Sequence, residues 1–129
     1  MSRRLASVAY VAPDYDEAIA FFCDKLGFSL IEDVDLGGGK RWVVVGGAGG
    51  ANLVIARAAD ERQRAAIGEA AGGRVAFFLE TDDFARDHAL FSARGVRFLE
   101  APRREPYGTV AVFVDAFGVK WDLIERSAK

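Results

Sequence analysis

The sequence is short of the residues that build metal centres and covalent cross-links. Its 129 residues include one histidine, His88, and one cysteine, Cys23. A single cysteine cannot form a disulfide within the chain, and Cys23 follows two phenylalanines in a helical pattern, where a small buried thiol is common. A metal site needs several converging donors, and no further histidine or cysteine lies near His88 in sequence, so we interpret His88 as a residue on a helix flank. These scarcities argue against a disulfide scaffold and a histidine-rich metal centre.

The chain also lacks a strong net charge and a long apolar run. Its 17 basic and 19 acidic residues give a formal net charge of −2, which creates no field that would attract a polyanion. The basic pairs Arg3-Arg4 and Arg103-Arg104 are too short to follow a phosphate backbone. No apolar run approaches the length of a membrane span, and the initial LASVAYVA is too short for a signal-peptide core. We therefore expect no nucleic-acid partner, no membrane association and a cytoplasmic location.

What the sequence does contain is apolar residues and an internal repeat. Hydrophobic residues make up 51% of the chain, enough for the core of a single domain spanning residues 1–129. Val8-Ala9-Tyr10 matches Val75-Ala76-Phe77 at an offset of 67, and Leu53-Val54-Ile55 falls on Asp122-Leu123-Ile124 at an offset of 69. Two copies of one unit are the simplest explanation. Their bounds, with the linking segment between them, are residues 5–57, 58–72 and 73–126.

The first unit has the element order βαβββ. A β-branched and aromatic run predicts a strand from Leu5 to Ala12. Asp14 offers an N-cap oxygen for a helix, Glu17 can reach back to the cap amide, and Gly27 stops the helix. The helix turns an apolar face inward, consisting of Ala18, Phe21, Phe22 and Leu26. Three further strands separated by glycine clusters are predicted at residues 28–36, 40–45 and 51–57.

The second unit repeats this order. We predict a strand over Arg74–Glu80, then a helix over residues 83–94 that is capped by Thr81 or Asp82 and stopped by Gly95. Three strands follow, near residues 96–100, 109–114 and 119–125. The alanine-rich segment 60–71 between the units predicts a linking helix that is capped by Asp60 and terminated by Gly72-Gly73. The fold class is therefore α+β, with two tandem units and antiparallel-rich sheets.

Side-chain alternation predicts an open face on each sheet. If Val8 and Tyr10 face the helix of the first unit, the neighbouring side chains face away from it, and the repeat extends this assignment to the second unit. Two such sheets placed side by side would form a cup. Its predicted lining consists of Ser7, Ala9, Val11, Leu53, Ile55, Arg74, Ala76, Phe78, Asp122 and Ile124.

The order of these segments resembles the vicinal oxygen chelate superfamily, which includes glyoxalase I, the bleomycin resistance proteins and the extradiol dioxygenases. The resemblance covers roughly residues 5–125 and rests on DYDEAIAFFCDKLGF, RVAFFLETDDF, ARGVRFLEAP and EPYGTVAVFVDAFGVKWDLIE. It implies the cup-shaped glyoxalase/bleomycin resistance/dioxygenase fold. It does not imply one activity, because this scaffold carries many chemistries.

The resemblance also implies where a metal ion would be bound. Metal-dependent members place one ligand on the first and one on the last strand of each unit, which corresponds here to Ser7, Leu53, Arg74 and Asp122. Only the Asp122 carboxylate is a plausible ligand, since leucine has no lone pair, a serine hydroxyl is a poor ligand and arginine brings a permanent positive charge. We expect no metal and no other cofactor.

The leading hypothesis is therefore metal-independent binding of a small, partly apolar molecule, by a chain that the resemblance implies is a homodimer. Arg74 and Asp122 could form an ion pair that orients a ligand, or they could simply satisfy each other in a site without function. Tyr107, in the loop PRREPYG, could stack on a planar ligand or cover a core edge. The predicted ligand-binding residues are Ser7, Val11, Trp42, Leu53, Arg74, Phe78, Tyr107 and Asp122.

Two other functions stay open. One is an enzyme, either a lyase, isomerase or dioxygenase with an atypical metal site or a metal-free catalyst with Asp122 as base and Arg74 as oxyanion clamp. The other is a non-catalytic interaction module. Three further residues are assigned structural roles: Trp121 in the core, Asp115 in a turn, and the pair Asp82-Asp83 as helix capping.

Overall fold

The computed structural model describes residues 2–127, which fall into two compact units that divide between Ile67 and Gly68. Each unit contains a mixed sheet with a helix packed on it, and the first unit also contains the linking helix. The α+β class and the two tandem units of the prediction are confirmed. That the two units form a single domain stays a prediction. No helix within residues 2–127 is long and apolar enough to cross a membrane.

The first unit holds a four-stranded sheet. Its strands are β1 (Ser7–Ala12), β2 (Ser29–Gly37), β3 (Lys40–Gly46) and β4 (Asn52–Arg57), arranged in the order β1-β4-β3-β2. The pair β1/β4 is parallel and the other pairs are antiparallel. All strands lie within a residue or two of their predicted bounds.

The helix of this unit begins as predicted but changes type halfway. It starts as α1 (Tyr15–Ile19), where an Asp14 carboxylate oxygen accepts a hydrogen bond of 2.9 Å from the Glu17 amide. A π-helical segment, residues 20–25, continues it, and Gly27 ends it with a φ of +74°. The sequence did not predict the π-helical segment. Phe22 in this segment is fully buried and packs edge-on against Tyr10 at 5.1 Å between ring centroids.

The linking helix is shorter than predicted. It is α2 (Glu61–Ala66), and its N-cap is Asp60, which accepts from the Gln63 amide at 2.8 Å. The helix ends at Ala66, five residues before the predicted Ala71, because Ile67 is extended and Gly68 has a φ of +83°. A Cβ atom at Gly68 would lie 2.7 Å from the carbonyl oxygen of Phe117, so this position requires glycine.

The second unit contains the strands β5 (Val75–Glu80), β6 (Arg97–Phe98), β7 (Arg103–Glu105), β8 (Gly108–Val114) and β9 (Lys120–Arg126). Their order is β5-β9-β8-β6, with β7 also paired to β8, and β5/β9 is the parallel pair. Two differences from the prediction matter for the site. Arg74 precedes β5 instead of beginning it, and the loop PRREPYG contains β7, which forms a hairpin with β8.

The helix of the second unit, α3 (Phe84–Ala93), has a different cap from the two predicted. Asp83 is the N-cap and accepts from the Arg86 amide at 3.0 Å. Thr81 instead accepts from the Asp83 amide and donates to Asp87 at 2.5 Å. Asp82 binds the Arg86 guanidinium at 2.9 Å. Asp82 and Asp83 therefore both stabilise the start of α3.

An aromatic core connects α3 to its sheet. Trp121 is 3% exposed and packs against Phe77, with 4.7 Å between ring centroids, and stacks on Phe113 at 5.8 Å. On α3, Phe91 meets Phe113 edge-on. His88 lies against Phe98, with 4.2 Å between ring centroids. The predictions of a core tryptophan and a helix-flank histidine are confirmed.

Candidate functional site

A pocket of about 530 Å³ lies in the second unit, on the sheet face opposite α3. Trp121 packs toward α3, and its neighbour Asp122 therefore projects from the other face. Phe78 and Val112 are the direct partners of Asp122 on β5 and β8, so all three share this face. The pocket is lined by Gly73, Arg74, Val75, Phe78, Leu99, Glu100, Val112, Lys120 and Asp122.

Asp122 is the buried polar group of this pocket. The residue is only 9% exposed, and its Oδ1 atom has no hydrogen-bond partner within residues 2–127. Burial raises the pKa of this carboxyl, the Arg103 guanidinium opposes that rise, and the Glu100 carboxylate adds to it. Asp122 thus presents an unused acceptor in a partly apolar pocket.

The second carboxylate of the pocket, Glu100, is already engaged. Its Oε1 accepts from Arg103 Nε and its Oε2 from the Val112 amide, both at 2.9 Å. The hydrogen bond from Arg103 holds the pKa of Glu100 below its ordinary value. Arg103 also donates to Glu105 on the same strand. Because both oxygens of Glu100 are occupied, Asp122 offers the free carboxylate oxygen.

Two cations and several apolar groups complete the lining. Within residues 2–127, neither Arg74 nor Lys120 forms an ion pair, so the possible ion pair between Arg74 and Asp122 is not present. Phe78 is 67% exposed and Leu99 is 41% exposed, although both are large and apolar. The pocket therefore combines two unpaired cations, one unpaired carboxylate oxygen and an exposed aromatic ring.

Comparison with known proteins identifies the family. Residues 4–123 match the model of the Glyoxalase/Bleomycin resistance protein/Dioxygenase superfamily. The chain belongs to this superfamily. The pocket thus lies in a fold on which many chemistries have been built, and its own residues must decide the function.

Several relatives span almost the whole chain. An uncharacterized protein of Shewanella frigidimarina (strain NCIMB 400) is 46% identical over 132 residues, covering 100% of this chain and 98% of that protein. The crystal structure of UcmS2 is 29% identical with a TM-score of 0.82, covering 96% of this chain and 98% of that one. TnmS3, an antibiotic binding protein from Streptomyces sp. CB03234, is 25% identical with a TM-score of 0.75, covering 98% of both chains.

Three of the predicted site residues lie on the corresponding face of the first unit's sheet. Val44 pairs with Val54, and Val54 pairs with Ala9, which defines the face opposite α1. Ser7, Val11 and Trp42 each lie two residues from a member of this set and therefore share the face. Trp42 is 41% exposed. Their part in ligand binding stays a prediction.

Leu53 was assigned to the wrong face. It pairs with Val8 on β1 and Val45 on β3, so it projects toward α1, where it is 5% exposed. Val54 and Ala56 occupy the other face. The repeat offset of 69 misplaced the residue, because a register irregularity between Val75 and Phe77 shifts the pairing of β5 with β9. Ile55, also predicted to line the cup, is buried beside Leu53 on the α1 face.

Tyr107 is not among the residues that line this pocket, and its part in ligand binding stays a prediction. Glu105 pairs with Gly108, so Pro106 and Tyr107 form the turn between β7 and β8. The Tyr107 side chain lies near enough to Arg103 to help raise the pKa of that guanidinium, and its carbonyl oxygen accepts from the Ser127 amide at 2.9 Å. Its contact to the site is therefore indirect, through the residue that holds Glu100.

Sequence reasoning missed six residues of the pocket: Gly73, Val75, Leu99, Glu100, Val112 and Lys120. Lys120 and Val112 could have been found by alternation, since Lys120 lies two residues before Asp122 and Val112 lies in the neighbouring strand. Glu100 and Leu99 could not, because their position depends on how residues 99–105 pack beside β8.

The residues do not fit the metal of the metal-dependent superfamily members. Ser7 and Arg74 occupy two of the four positions, and the face correction replaces Leu53 by Val54 or Ala56, which also lack a donor. Within the part of the chain that the structure describes, no three His, Cys, Asp or Glu side chains come close enough to hold a metal ion. Asp122 is left as a single donor beside Arg74, which is a poor setting for a divalent cation.

Cys23 has no features of a reactive thiol. It is half-buried in the π-helical segment, and burial, followed by the nearby Asp24 carboxylate, raises the pKa of its thiol. The thiolate is the reactive form, so a raised pKa disfavours reaction. The structural interpretation of Cys23 is retained.

Proposed function

We propose that this protein binds a small, partly apolar molecule in the pocket of its second unit, without a metal ion. The observation that carries the proposal is the Asp122 Oδ1 atom, which is buried in the pocket without a hydrogen-bond partner among residues 2–127. A buried polar atom without a partner costs roughly 1–3 kcal/mol of folding stability. A ligand that donates a hydrogen bond to Oδ1 offsets this cost.

The rest of the lining supports the same conclusion. Binding sites for small molecules combine apolar walls with a few polar groups that orient the ligand. Here Phe78, Leu99, Val75 and Val112 supply the apolar surface, while Asp122 and the two cations supply polarity. Exposed large apolar side chains that line a concave surface are typical of binding sites rather than of ordinary solvent-facing strands.

The comparisons support a binding role. TnmS3, with a TM-score of 0.75 over 98% of this chain, is described as an antibiotic binding protein. At 25% identity the antibiotic itself is not transferred to this chain. We infer the general role, capture of a small organic molecule, because the pocket's own residues support it independently.

Metal independence, assembly and location are parts of the same proposal. Ser7 and Arg74 stand where metal ligands would be needed, and the arginine charge repels a cation. The resemblance to bleomycin resistance proteins favours a cytoplasmic homodimer, in which Ser7, Val11 and Trp42 would be further ligand contacts. Analytical ultracentrifugation at micromolar protein should give a dimer mass, and a monomer mass would overturn the proposed homodimer.

A screen of aromatic fragments by ¹⁵N–¹H correlation spectroscopy tests the central proposal. Binding fragments should shift the amides of residues 73–78, 99–103, 112 and 120–122, which surround the pocket. Hits that shift only other amides, or an absence of hits among several hundred fragments, would overturn the proposal. EDTA should leave the affinities unchanged, whereas loss of binding on chelation would overturn metal independence.

Two matched pairs of variants sharpen this experiment. Phe78→Ala removes the exposed ring and Arg74→Ala removes one cation, and both side chains are exposed enough that folding should be retained. Leu90→Ala, on the surface of α3, and Arg104→Ala, on β7, are the controls. The first pair should weaken fragment binding several-fold, and the control pair should not.

A metal-free catalyst is the second candidate, favoured by the same carboxyl. A buried carboxyl whose pKa is raised can accept a proton, and Arg74 and Lys120 could stabilise a developing anion. Any fragment that the protein converts should be converted with a carboxylate-dependent pH–rate profile, and Asp122→Asn should abolish that turnover. Conversion that survives this substitution would exclude Asp122 as the base.

A further inference from the structure

The second unit's pocket contains more positive than negative groups that are free to meet a ligand. Both oxygens of Glu100 accept hydrogen bonds within the protein, from Arg103 and from the Val112 amide, so neither is free to accept from a ligand. Arg74 and Lys120 have no ion-pair partner among residues 2–127, yet both line the pocket. Two unpaired cations beside apolar walls favour a ligand with an anionic group.

The free oxygen of Asp122 specifies a second ligand group. A carboxylate accepts hydrogen bonds, and Oδ1 is the acceptor in this pocket that no protein donor occupies. Lys120 and Asp122 are two positions apart on one strand face, which separates their Cα atoms by roughly 6–7 Å. An anionic group and a hydroxyl or N–H donor must therefore lie at different points of the same ligand.

The exposed ring of Phe78 specifies the ligand's body. Phe78 is the direct strand partner of Asp122 and is 67% exposed, so most of this apolar side chain is open to a ligand beside the carboxyl. An aromatic body would stack on this ring, which is worth about 0.5–1.5 kcal/mol beyond area burial. Leu99 and Val112 extend the apolar surface.

From these three observations we infer that the ligand is an aromatic acid that also carries a hydroxyl or N–H donor. Its ionised acid group lies against Arg74 and Lys120, its donor binds Asp122 Oδ1, and its ring stacks on Phe78. Arg103 is a positioning residue, because it binds Glu100 Oε1 and thereby fixes the second carboxylate of the pocket. This inference rests on the proposed function and names the chemical class of the molecule bound.

Calorimetry with three related probes tests the inference without any mutation. The probes are 6-hydroxy-2-naphthoate, which has both polar groups, 2-naphthoate, which lacks the donor, and 2-naphthol, which lacks the acid. The first should bind about tenfold or more tightly than either of the others, since each missing group leaves a protein partner unpaired. Equal affinity of 2-naphthoate would overturn the role of Asp122, and equal affinity of 2-naphthol would overturn the anionic group.

Variants test which residues cause each of the two affinity preferences among the probes. Asp122→Leu, with Asp122→Ala as a second variant if Leu is not tolerated, should reduce the preference for 6-hydroxy-2-naphthoate over 2-naphthoate, because both remove the acceptor. Arg74→Gln combined with Lys120→Gln should reduce the preference over 2-naphthol, and Lys40→Gln combined with Arg104→Gln is the charge-matched control. Preferences that survive in the pocket variants, or that fall equally in the control, would overturn the assignment.

The two proposals fail in different ways. If aromatic fragments shift the pocket amides but none of the acidic probes binds, the ligand class is wrong and the binding function stands. If neither the fragments nor the probes reach the pocket, the binding function itself is wrong.

Discussion

Two buried aspartates in the second unit have opposite surroundings. Asp115, 6% exposed, lies in the turn between β8 and β9 and accepts from the Phe117 amide, the Val119 amide and Trp121 Nε1 at 2.9–3.0 Å. Asp122, 9% exposed, lies in the pocket with one oxygen unpartnered within residues 2–127. The hydrogen bonds of the fold engage both oxygens of the Asp115 carboxylate, whereas under the proposed function Asp122 Oδ1 accepts from a ligand.

The comparison separates a structural role from a binding role on physical grounds. Burial of a charge is tolerated when hydrogen bonds replace the lost water, as at Asp115. Where hydrogen bonds do not replace the lost water, the buried charge lowers the stability of the fold. The presence of such a residue then has to be explained by a role outside folding. Each prediction below changes one side of this comparison.

The largest effect is expected from Asp115→Asn. The amide group of asparagine is nearly the same size as the carboxylate, but its NH₂ replaces one of the two oxygens. In the wild type both oxygens accept from N–H donors, and an NH₂ group cannot accept from them. At least one hydrogen bond is therefore lost. We expect the free energy of unfolding to fall by about 2 kcal/mol in urea denaturation. A loss of less than about 0.5 kcal/mol would show that the three hydrogen bonds do not hold the turn.

The matched change at the pocket, Asp122→Asn, is expected to act in the opposite direction. It removes a poorly solvated charge and breaks no hydrogen bond at Oδ1. At pH 7 the variant should be more stable than the wild type by about 1 kcal/mol in the same denaturation experiment. Destabilisation as large as that of Asp115→Asn would mean that Asp122 is a structural residue.

The stabilisation by Asp122→Asn should depend on pH. Because the pKa of Asp122 is raised above 3.8 in the folded state, its contribution to stability is fully present at low pH and is lost as the pH rises through the folded value. The gap between variant and wild type should therefore be widest near neutral pH and close as the pH falls toward 3.8. Melting temperatures at a series of pH values measure it, and a constant gap would contradict the raised pKa.

The smallest effect is expected from Arg103→Gln. The ion pair between Arg103 and Glu100 is part-exposed, so its loss should lower the melting temperature less than Asp115→Asn does. The pKa of Glu100 is lowered from 4.5 by Arg103, so the stability that this pair adds is present above 4.5 and lost in acid. The deficit of the variant should accordingly shrink at low pH. Arg104→Gln, one residue along β7, is the control and should show no such trend.

The sequence predicted most of the elements because local signals mark them. The Asp14 cap, the positive φ at Gly27 and Gly95, and the β-branched strands all act within a few residues. The same reasoning failed where tertiary contacts determine whether a helix or strand forms and where it ends. The end of α2 depends on the close approach of Gly68 to Phe117, and β7 forms in a charged segment because β8 offers a strand edge.

The site was predictable only in part. Alternation placed Phe78 and Asp122 on one face, which the strand register confirms. The same alternation failed at Leu53, because the offset between repeats does not report the irregular pairing of β5 with β9. The engagement of Glu100 by Arg103 joins residues whose side chains meet only once the β7–β8 hairpin is folded, and no local pattern encodes it.

A crystal structure of the protein soaked with 6-hydroxy-2-naphthoate tests the central claim most directly. We predict that the probe's hydroxyl oxygen lies within about 2.5–3.0 Å of Asp122 Oδ1, with its rings against Phe78 and its carboxylate toward Arg74 and Lys120. Density for the probe at another site, or a pocket in which a protein donor occupies Oδ1, would contradict the account.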